Sequence, residues 1–215
     1  MLTVHHLGIS QSERIVWLCE ELEIPYQLVR YDRDPNTRLA PEKYKALHPF
    51  GTAPVITDDK LVLGETGAIM EYILAKYGNN RLTVGADKPN FADYLFWLHF
   101  ANGSFMPSAL TDIVVTIMGG GEGTAPHIIS ALRSRGERAW QMTEARLKEA
   151  PYLAGNEFTA ADIISVFALT TLRAFVPRDL SAFPSIKAYL KRIAARPAYQ
   201  RAMEKAEPGM KAMID

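Results

Sequence analysis

His48-Pro49-Phe50-Gly51-Thr52-Ala53-Pro54-Val55-Ile56 is the stretch that decides the fold. Pro54 stands at the entrance of a short apolar run, a position that fits a turn beside a strand edge and accommodates a cis peptide. Eight residues on, Gly64-Glu65-Thr66-Gly67-Ala68-Ile69 sets an acidic-hydroxyl pair at the opening of an amphipathic segment. There, small polar groups and backbone N–H donors are available to a carboxylate. Together the two stretches point to a docking site for a small, extended, peptide-like ligand.

Working outward, Leu2-Thr3-Val4-His5 alternates as a strand. Ser10 to Leu22 follows as a helix, with Ile15, Leu18, Cys19 and Leu22 on one face. Pro25 ends it, and Tyr26 to Tyr31 reads as a second strand. Asp34-Pro35-Asn36 is a turn, and Pro41 to Leu47 a short helix. Val55-Ile56-Thr57 and Leu61-Val62-Leu63 flank Asp58-Asp59-Lys60 as a hairpin. Ala68 to Tyr77 is helical, with Gly78 as its expected C′ residue. The order β-α-β-α-β-β-α predicts a parallel strand pair extended by an antiparallel hairpin.

The texture then changes. Asn79 to Pro89 is polar and turn-rich, and from Phe91 onward only helical patterns recur. Tyr94, Trp97, Leu98, Ala101 and Phe105 form one stripe. His127 to Lys148 is helical, with Trp140 and Leu147 inward, and Thr159-Ala160-Ala161-Asp162 has the shape of a capping box. Ile186, Tyr189, Leu190 and Ile193 mark a further helix that ends near Arg196-Pro197. The glycine run at 119–123 reads as a hinge, because it lacks the strand-to-helix setting of a nucleotide loop. The expected division is a first domain over 1–80, a linker over 81–88 and an all-helical domain over 89–215.

At 215 residues the chain can bury a substantial core. Its 24 basic and 24 acidic side chains balance, which gives no electrostatic argument for nucleic acid or an anionic membrane as partner. No apolar run is long enough to span a bilayer, the N-terminus lacks a signal-peptide pattern, and the single cysteine rules out an internal disulfide framework. A cytoplasmic protein is the expectation. No residues stand at metal-ligand spacing around His5 and His6, so no metal is expected; one of the two is expected inward and the other toward a cleft.

The layout and motifs resemble the cytosolic glutathione transferases along essentially the whole chain. The carriers are His48 to Ile56, the Glu65-Thr66 pair and the capped helix after Leu153-Ala154-Gly155. The resemblance implies a thioredoxin-like α/β N-terminal domain and an all-α C-terminal domain. It also implies glutathione as co-substrate, transfer of its sulfur to an apolar electrophile in a cleft, peroxide reduction in some members, a role in detoxification, and a homodimer. It is closest in kind to serine-type members, and so assigns the sulfur contact to Ser10, with Ser12 as the fallback. Read from the residues alone, Ser10-Gln11-Ser12-Glu13 is a capping box. The two roles are compatible, since a capping hydroxyl accepts from backbone and keeps its own proton to donate.

Pro54 matches the family's cis proline, and the backbone of Ala53 would pair with the cysteinyl part of glutathione as a short added strand. Thr66 would hold the γ-glutamyl carboxylate and Glu65 the α-amino end; residue by residue both also suit a helix N-cap. Thr52 stands where relatives often carry Lys to meet the glycine end, leaving Lys43, Lys45 or His48 as substitutes. This departure favours an alternative reading, a non-catalytic glutathione-binding or scaffold protein of the same fold. Ile9 stands about where cysteine-type relatives carry a catalytic Cys, and Cys19 reads as an inert core thiol. Ser104, Phe105 and Met106 either line the electrophile pocket or pack the core, and Arg14 is expected close to the ligand but structural.

Overall fold

The computed structural model describes residues 1–117, 126–175, 177–211 and 213–214. The hinge expected at residues 119–123 lies outside them. The described chain forms two units, Met1–Thr83 with Ile193–Ala212, and Val84–Arg192 with Met213–Asp215.

In the first unit the alternating and apolar runs become four strands, β1 (Leu2–Leu7), β2 (Gln27–Tyr31), β3 (Val55–Asp58) and β4 (Leu61–Gly64), in spatial order β2-β1-β3-β4. β1 runs parallel to β2 and antiparallel to β3, with His5 opposite Val55; β3 and β4 form the hairpin around Asp59-Lys60. The helices are α1 (Glu13–Leu22), α2 (Glu42–Lys45) and α3 (Thr66–Tyr77). The apolar stripe of α1 is fully buried, Ile15, Leu18 and Cys19 all at 0% exposure. Burial pushes the Cys19 thiol far above its ordinary range, which leaves it protonated and inert, as its place in the stripe suggests.

Two helix starts differ from the sequence reading for local reasons. α1 starts three residues late because the hydroxyls of Ser10 and Ser12 fold back onto the end of β1 instead of capping the helix. α3 starts two residues early, at Thr66. Gly78 remains right-handed (φ −77°), and the left-handed positions fall on Asn79 and Asn80, two residues whose short polar side chains tolerate that region.

Asp58 closes the far end of the sheet. Its Oδ2 accepts from Lys76 Nζ at 2.6 Å, Tyr77 Oη at 2.5 Å and Tyr72 Oη at 2.8 Å. The Lys76 ammonium first, then the two phenols, hold this buried carboxyl well below the usual carboxylate range. A depressed carboxyl stabilises the fold above its unfolded value, near pH ~4, and loses that contribution as pH falls. Acidification from about pH 5 to about 3 should therefore lower the urea midpoint of the wild type more than that of Asp58→Asn. Equal losses in the two proteins would contradict the assignment.

The last helix, α9 (Pro197–Ala206), belongs with this unit and not with the helical half to which the sequence reading gave it. Trp17 meets Tyr199 edge-to-face at 4.8 Å. Arg196 clamps both carboxylate oxygens of Glu21, at 2.7 and 2.8 Å, and Arg201 and Lys205 reach Glu20. A pairing between residues some 180 positions apart carries no local sequence signal.

The second unit is helical: α4 (Phe91–Phe100), α5 (Met106–Ile117), α6 (Pro126–Glu149), α7 (Ala160–Leu169) and α8 (Pro184–Ala194). Between α4 and α5 the chain widens into a π-helical segment, Ala101–Phe105, a rare form often found at functional sites. The predicted stripe is buried along it, with Leu98, Ala101 and Phe105 at 5%, 0% and 2% exposure. Phe105 meets Trp140 edge-to-face at 5.3 Å. Asp162 completes the capping box with Thr159, binds Leu153 N–H, and accepts from Tyr189. No described helix is long and apolar enough to cross a membrane.

Candidate active site

The site lies in the first unit, at the C-terminal end of β1, where three chain turns meet. The first runs from β1 into α1. Ser10, 6% exposed, donates its hydroxyl proton to Leu7 O at 2.6 Å and lies 2.7 Å from Ser12 Oγ. Ser12 has no exposed surface; its Oγ accepts from Leu7 N–H at 3.0 Å and sits 2.8 Å from His6 Nδ1. Ser12 therefore works inside the protein, which leaves Ser10 as the less deeply buried of the two hydroxyls. Before it, Ile9 is left-handed at φ +51°. A β-branched residue pays roughly 1–2 kcal/mol for that conformation. Two partners hold it there: Ile9 N–H donates to Glu207 at 2.5 Å, and Ile9 O accepts from Arg33 at 3.0 Å.

The second turn leads from α2 into β3. The Ala53–Pro54 peptide is cis, as the sequence reading expects. Ala53 packs against the cluster of Leu7, Tyr44 and Val55, so its backbone lies beside the end of β1. Tyr44 Oη donates to His5 O at 3.2 Å and ties α2 to the same strand. Thr52 is exposed. Lys45 pairs with Glu42 at 2.7 Å, while Lys43 lies over the Tyr31 ring at 5.5 Å. The His48 ring, half-buried, accepts from Phe50 N–H at 3.3 Å and lies so near Gly64 that a Cβ there would stand 3.2 Å from it.

The third turn, from β4 into α3, holds Glu65 in an unusual conformation, φ +69°, ψ +120°, with its side chain exposed. Non-glycine residues adopt such backbones at a cost of about 1–3 kcal/mol, chiefly where function requires it. Thr66 is buried and its Oγ1 reaches Gln11 Oε1 at 3.5 Å. Gln11 Oε1 also accepts from Arg14 at 2.8 Å. Gln11 thus links the Ser10 turn to the start of α3. Sequence reasoning missed it, because nothing in its spacing distinguishes it from a solvated helix-start glutamine. Arg14 is buried behind the site, its ionisation pulled down to about 9 by desolvation, which fits the structural role expected of it.

The two early histidines depart from expectation, since both are used internally. His5 lies between Tyr31 Oη and Thr57 Oγ1, each at 3.2 Å, and burial lowers its ionisation. His6 is fully buried between Ser12 and Glu207.

Two family models match the chain. One is the glutathione S-transferase N-terminal domain over residues 10–76, the other the glutathione S-transferase C-terminal domain over residues 105–197. "Glutathione S-transferase 3" of Schizosaccharomyces pombe is 31% identical, across 96% of this chain and 88% of that protein. The chain belongs to the glutathione S-transferase family. Among other glutathione S-transferases, number 1 of Saccharomyces cerevisiae is 29% identical over 96% of this chain and 95% of its own length. The crystal structure of a glutathione S-transferase from Actinobacillus pleuropneumoniae superimposes with a TM-score of 0.86 at 30% identity, covering 100% of this chain and 98% of that one. The glutathione S-transferase N-terminal match spans all three turns of the site, from Ser10 to Thr66.

In the second unit, Ser104 lines a cavity of about 420 Å³ together with Phe100, Ser108, Arg135, Arg138 and Met142. Phe105 and Met106 are buried, at 2% and 3% exposure, and are not among its lining residues. Of the three residues named for the electrophile, only Ser104 faces this opening.

Proposed function

We propose that this chain is a glutathione transferase in which Ser10 holds the sulfur of glutathione as a thiolate. A free thiol ionises near pH ~8.5, so little thiolate is present at neutral pH unless a protein stabilises the anion. Ser10 supplies a hydroxyl that can turn from Leu7 O to a sulfur bound at the turn. Ala53 offers backbone N–H and C=O to the cysteinyl unit. Thr66, at the N-terminus of α3, takes the γ-glutamyl carboxylate with its hydroxyl and N–H, and Glu65 takes the α-amino group. His48 and Thr52 lie on the side of the glycine end. Lys45, engaged with Glu42, contributes positive potential there.

The observation that supports this reading is the contact of Thr66 Oγ1 with Gln11 Oε1, between the start of α3 and the Ser10 turn. The bound thiolate attacks an apolar electrophile by substitution or addition, or reduces a peroxide, and catalysis comes from ionising sulfur and bringing the reactants together. We extend the proposal to a homodimer, for which the exposed apolar side chains of Phe50, Phe96 and Val114 are available, and to detoxification in the cytoplasm. No metal takes part in it.

A panel of aryl halides, enones and organic hydroperoxides, assayed with glutathione, tests the activity. Turnover of at least one class is expected. Glutathione binding without turnover of any would instead favour the non-catalytic binding protein, to which the absence of Lys at position 52 lends weight.

A further inference from the structure

Ser10 belongs to a series of four groups, Leu7 O, Ser10 Oγ, Ser12 Oγ and His6 Nδ1, separated by 2.6, 2.7 and 2.8 Å. Beyond the ring, His6 Nε2 lies 3.1 Å from Glu207 Oε1. Every member of the chain is buried, His6 and Ser12 completely. A carbonyl oxygen only accepts, and each hydroxyl carries one proton. Ser10 donates to Leu7 O at 2.6 Å, a much shorter contact than the 3.4 Å between Ser12 Oγ and the same oxygen. Its oxygen must then accept from Ser12, and Ser12 must accept from a proton on His6 Nδ1. The opposite nitrogen faces a carboxylate oxygen, which also only accepts, so a second proton belongs between Nε2 and Glu207. With a singly protonated ring and an ionised Glu207, two hydroxyl protons would serve three short contacts, and two lone pairs would face each other in a buried site, an arrangement with a large desolvation cost.

We propose that the buried His6–Glu207 pair holds an extra proton that orients the Ser12 and Ser10 hydroxyls in one direction, so that Ser10 is always presented as a donor to the sulfur. This rests on the assignment of Ser10 given above and adds two positioning residues to it, His6 and Glu207. Glutathione binding turns the Ser10 proton from Leu7 O to the thiolate. The thiol proton leaves to solvent, and no other bond forms or breaks. The buried imidazolium adds positive potential behind the hydroxyl chain, where low dielectric makes it effective. The charges facing the pair are few. From β2, Arg30 lies 3.9 Å from the second oxygen of Glu207, and Arg33, after β2, binds the carbonyls of Gly8 and Ile9 at 2.8 and 3.0 Å.

The state of the ring is read directly on the wild-type protein by nitrogen-15 NMR of its histidines at neutral pH, with His6 assigned by its coupling to the adjacent backbone. Both ring nitrogens of His6 are expected to be protonated. An unprotonated Nδ1 overturns the proposal.

The functional arm uses Glu207→Gln, which keeps an acceptor for Ile9 N–H but removes the charge. Binding of S-methylglutathione, which has no ionisable thiol, is expected to change less than about twofold, whereas the thiolate formed from bound glutathione at neutral pH falls about tenfold, which is one unit of sulfur pKa. A purely structural role would weaken both ligands together and overturns the proposal. So does an unchanged thiolate yield in the variant. Wild-type protein that binds glutathione and yields no thiolate contradicts the earlier assignment of Ser10 itself, a result distinct from either.

Discussion

Replacing Ser10 by Ala is expected to lower kcat/KM for glutathione conjugation about a hundredfold at neutral pH, with little change in the KM for glutathione. Removal of a single hydrogen bond aimed at a developing or resident anion in a preorganised site typically costs about 10²–10³ in rate, roughly 3–4 kcal/mol. In the proposed site Ser10 is such a donor, the less deeply buried hydroxyl of a turn whose other hydroxyl, Ser12, is fully buried and engaged with Leu7 N–H and His6. In the proposed site the remaining contacts with glutathione fall on other groups, the backbone of Ala53 and the start of α3, so binding is expected to be retained while ionisation is lost. The fold should tolerate the change, because Ser12 still holds the end of β1 through Leu7 N–H. The deficit should shrink as pH rises toward ~8.5, where the free thiol ionises unaided. Steady-state rates from about pH 6 to about 9 check both the size and the trend. A deficit independent of pH would mean that Ser10 acts on something other than sulfur ionisation.

Asp162→Ala is expected to destabilise the helical unit by about 3–5 kcal/mol, from about 1–3 kcal/mol for each buried donor left without a partner. The carboxylate accepts from Leu153 N–H and Thr159 N–H, each at 2.9 Å, and from Tyr189 Oη at 3.0 Å. All of these donors are buried. Given total stabilities of about 5–15 kcal/mol, this single change brings the unit near its unfolding threshold. The carboxyl also has a pH signature of the less common sign. Burial pushes its ionisation up to about 6, against the pull of the hydrogen bonds from Leu153, Thr159 and Tyr189. The folded unit thus holds a proton here more tightly than the unfolded chain, whose carboxyl ionises near ~3.9. That contribution is full below pH ~4 and is lost as pH rises through about 6. Asp162→Asn cannot titrate, so the difference in urea midpoint between wild type and Asp162→Asn should itself change between pH ~4 and ~7. A constant difference would show that Asp162 ionises normally in the fold.

What the sequence made readable is what local chemistry determines. The hairpin around Asp59-Lys60, the capping box from Thr159 to Asp162 and the cis bond before Pro54 each depend on a few neighbouring residues. The stripe from Tyr94 to Phe105 was also visible, although the π-helical widening at Ala101–Phe105 was not, because its spacing of three and four resembles that of an ordinary helix. The capping half of the Ser10 reading does not hold, since no side chain caps the start of α1. A Ser-x-Ser-Glu pattern satisfies the capping rule equally well, and only tertiary structure shows the hydroxyls turned back to Leu7. Beyond that range the sequence is silent. Glu207, Gln11 and His6 come together from separate elements, with His6 and Glu207 201 residues apart. The membership of α9 in the first unit likewise depends on Glu20, Glu21 and Trp17, which read simply as one exposed and one apolar face of α1.

The proposed role of Ser10 depends on the ionisation of sulfur at its turn. Thiolate ultraviolet absorbance of bound glutathione, titrated against pH with wild type and Ser10→Ala, measures it directly. The wild type should ionise bound glutathione with a midpoint of about 7 or lower, and Ser10→Ala should return it toward ~8.5. A wild-type midpoint at the free-solution value, or the same depressed midpoint in both proteins, would contradict the claim.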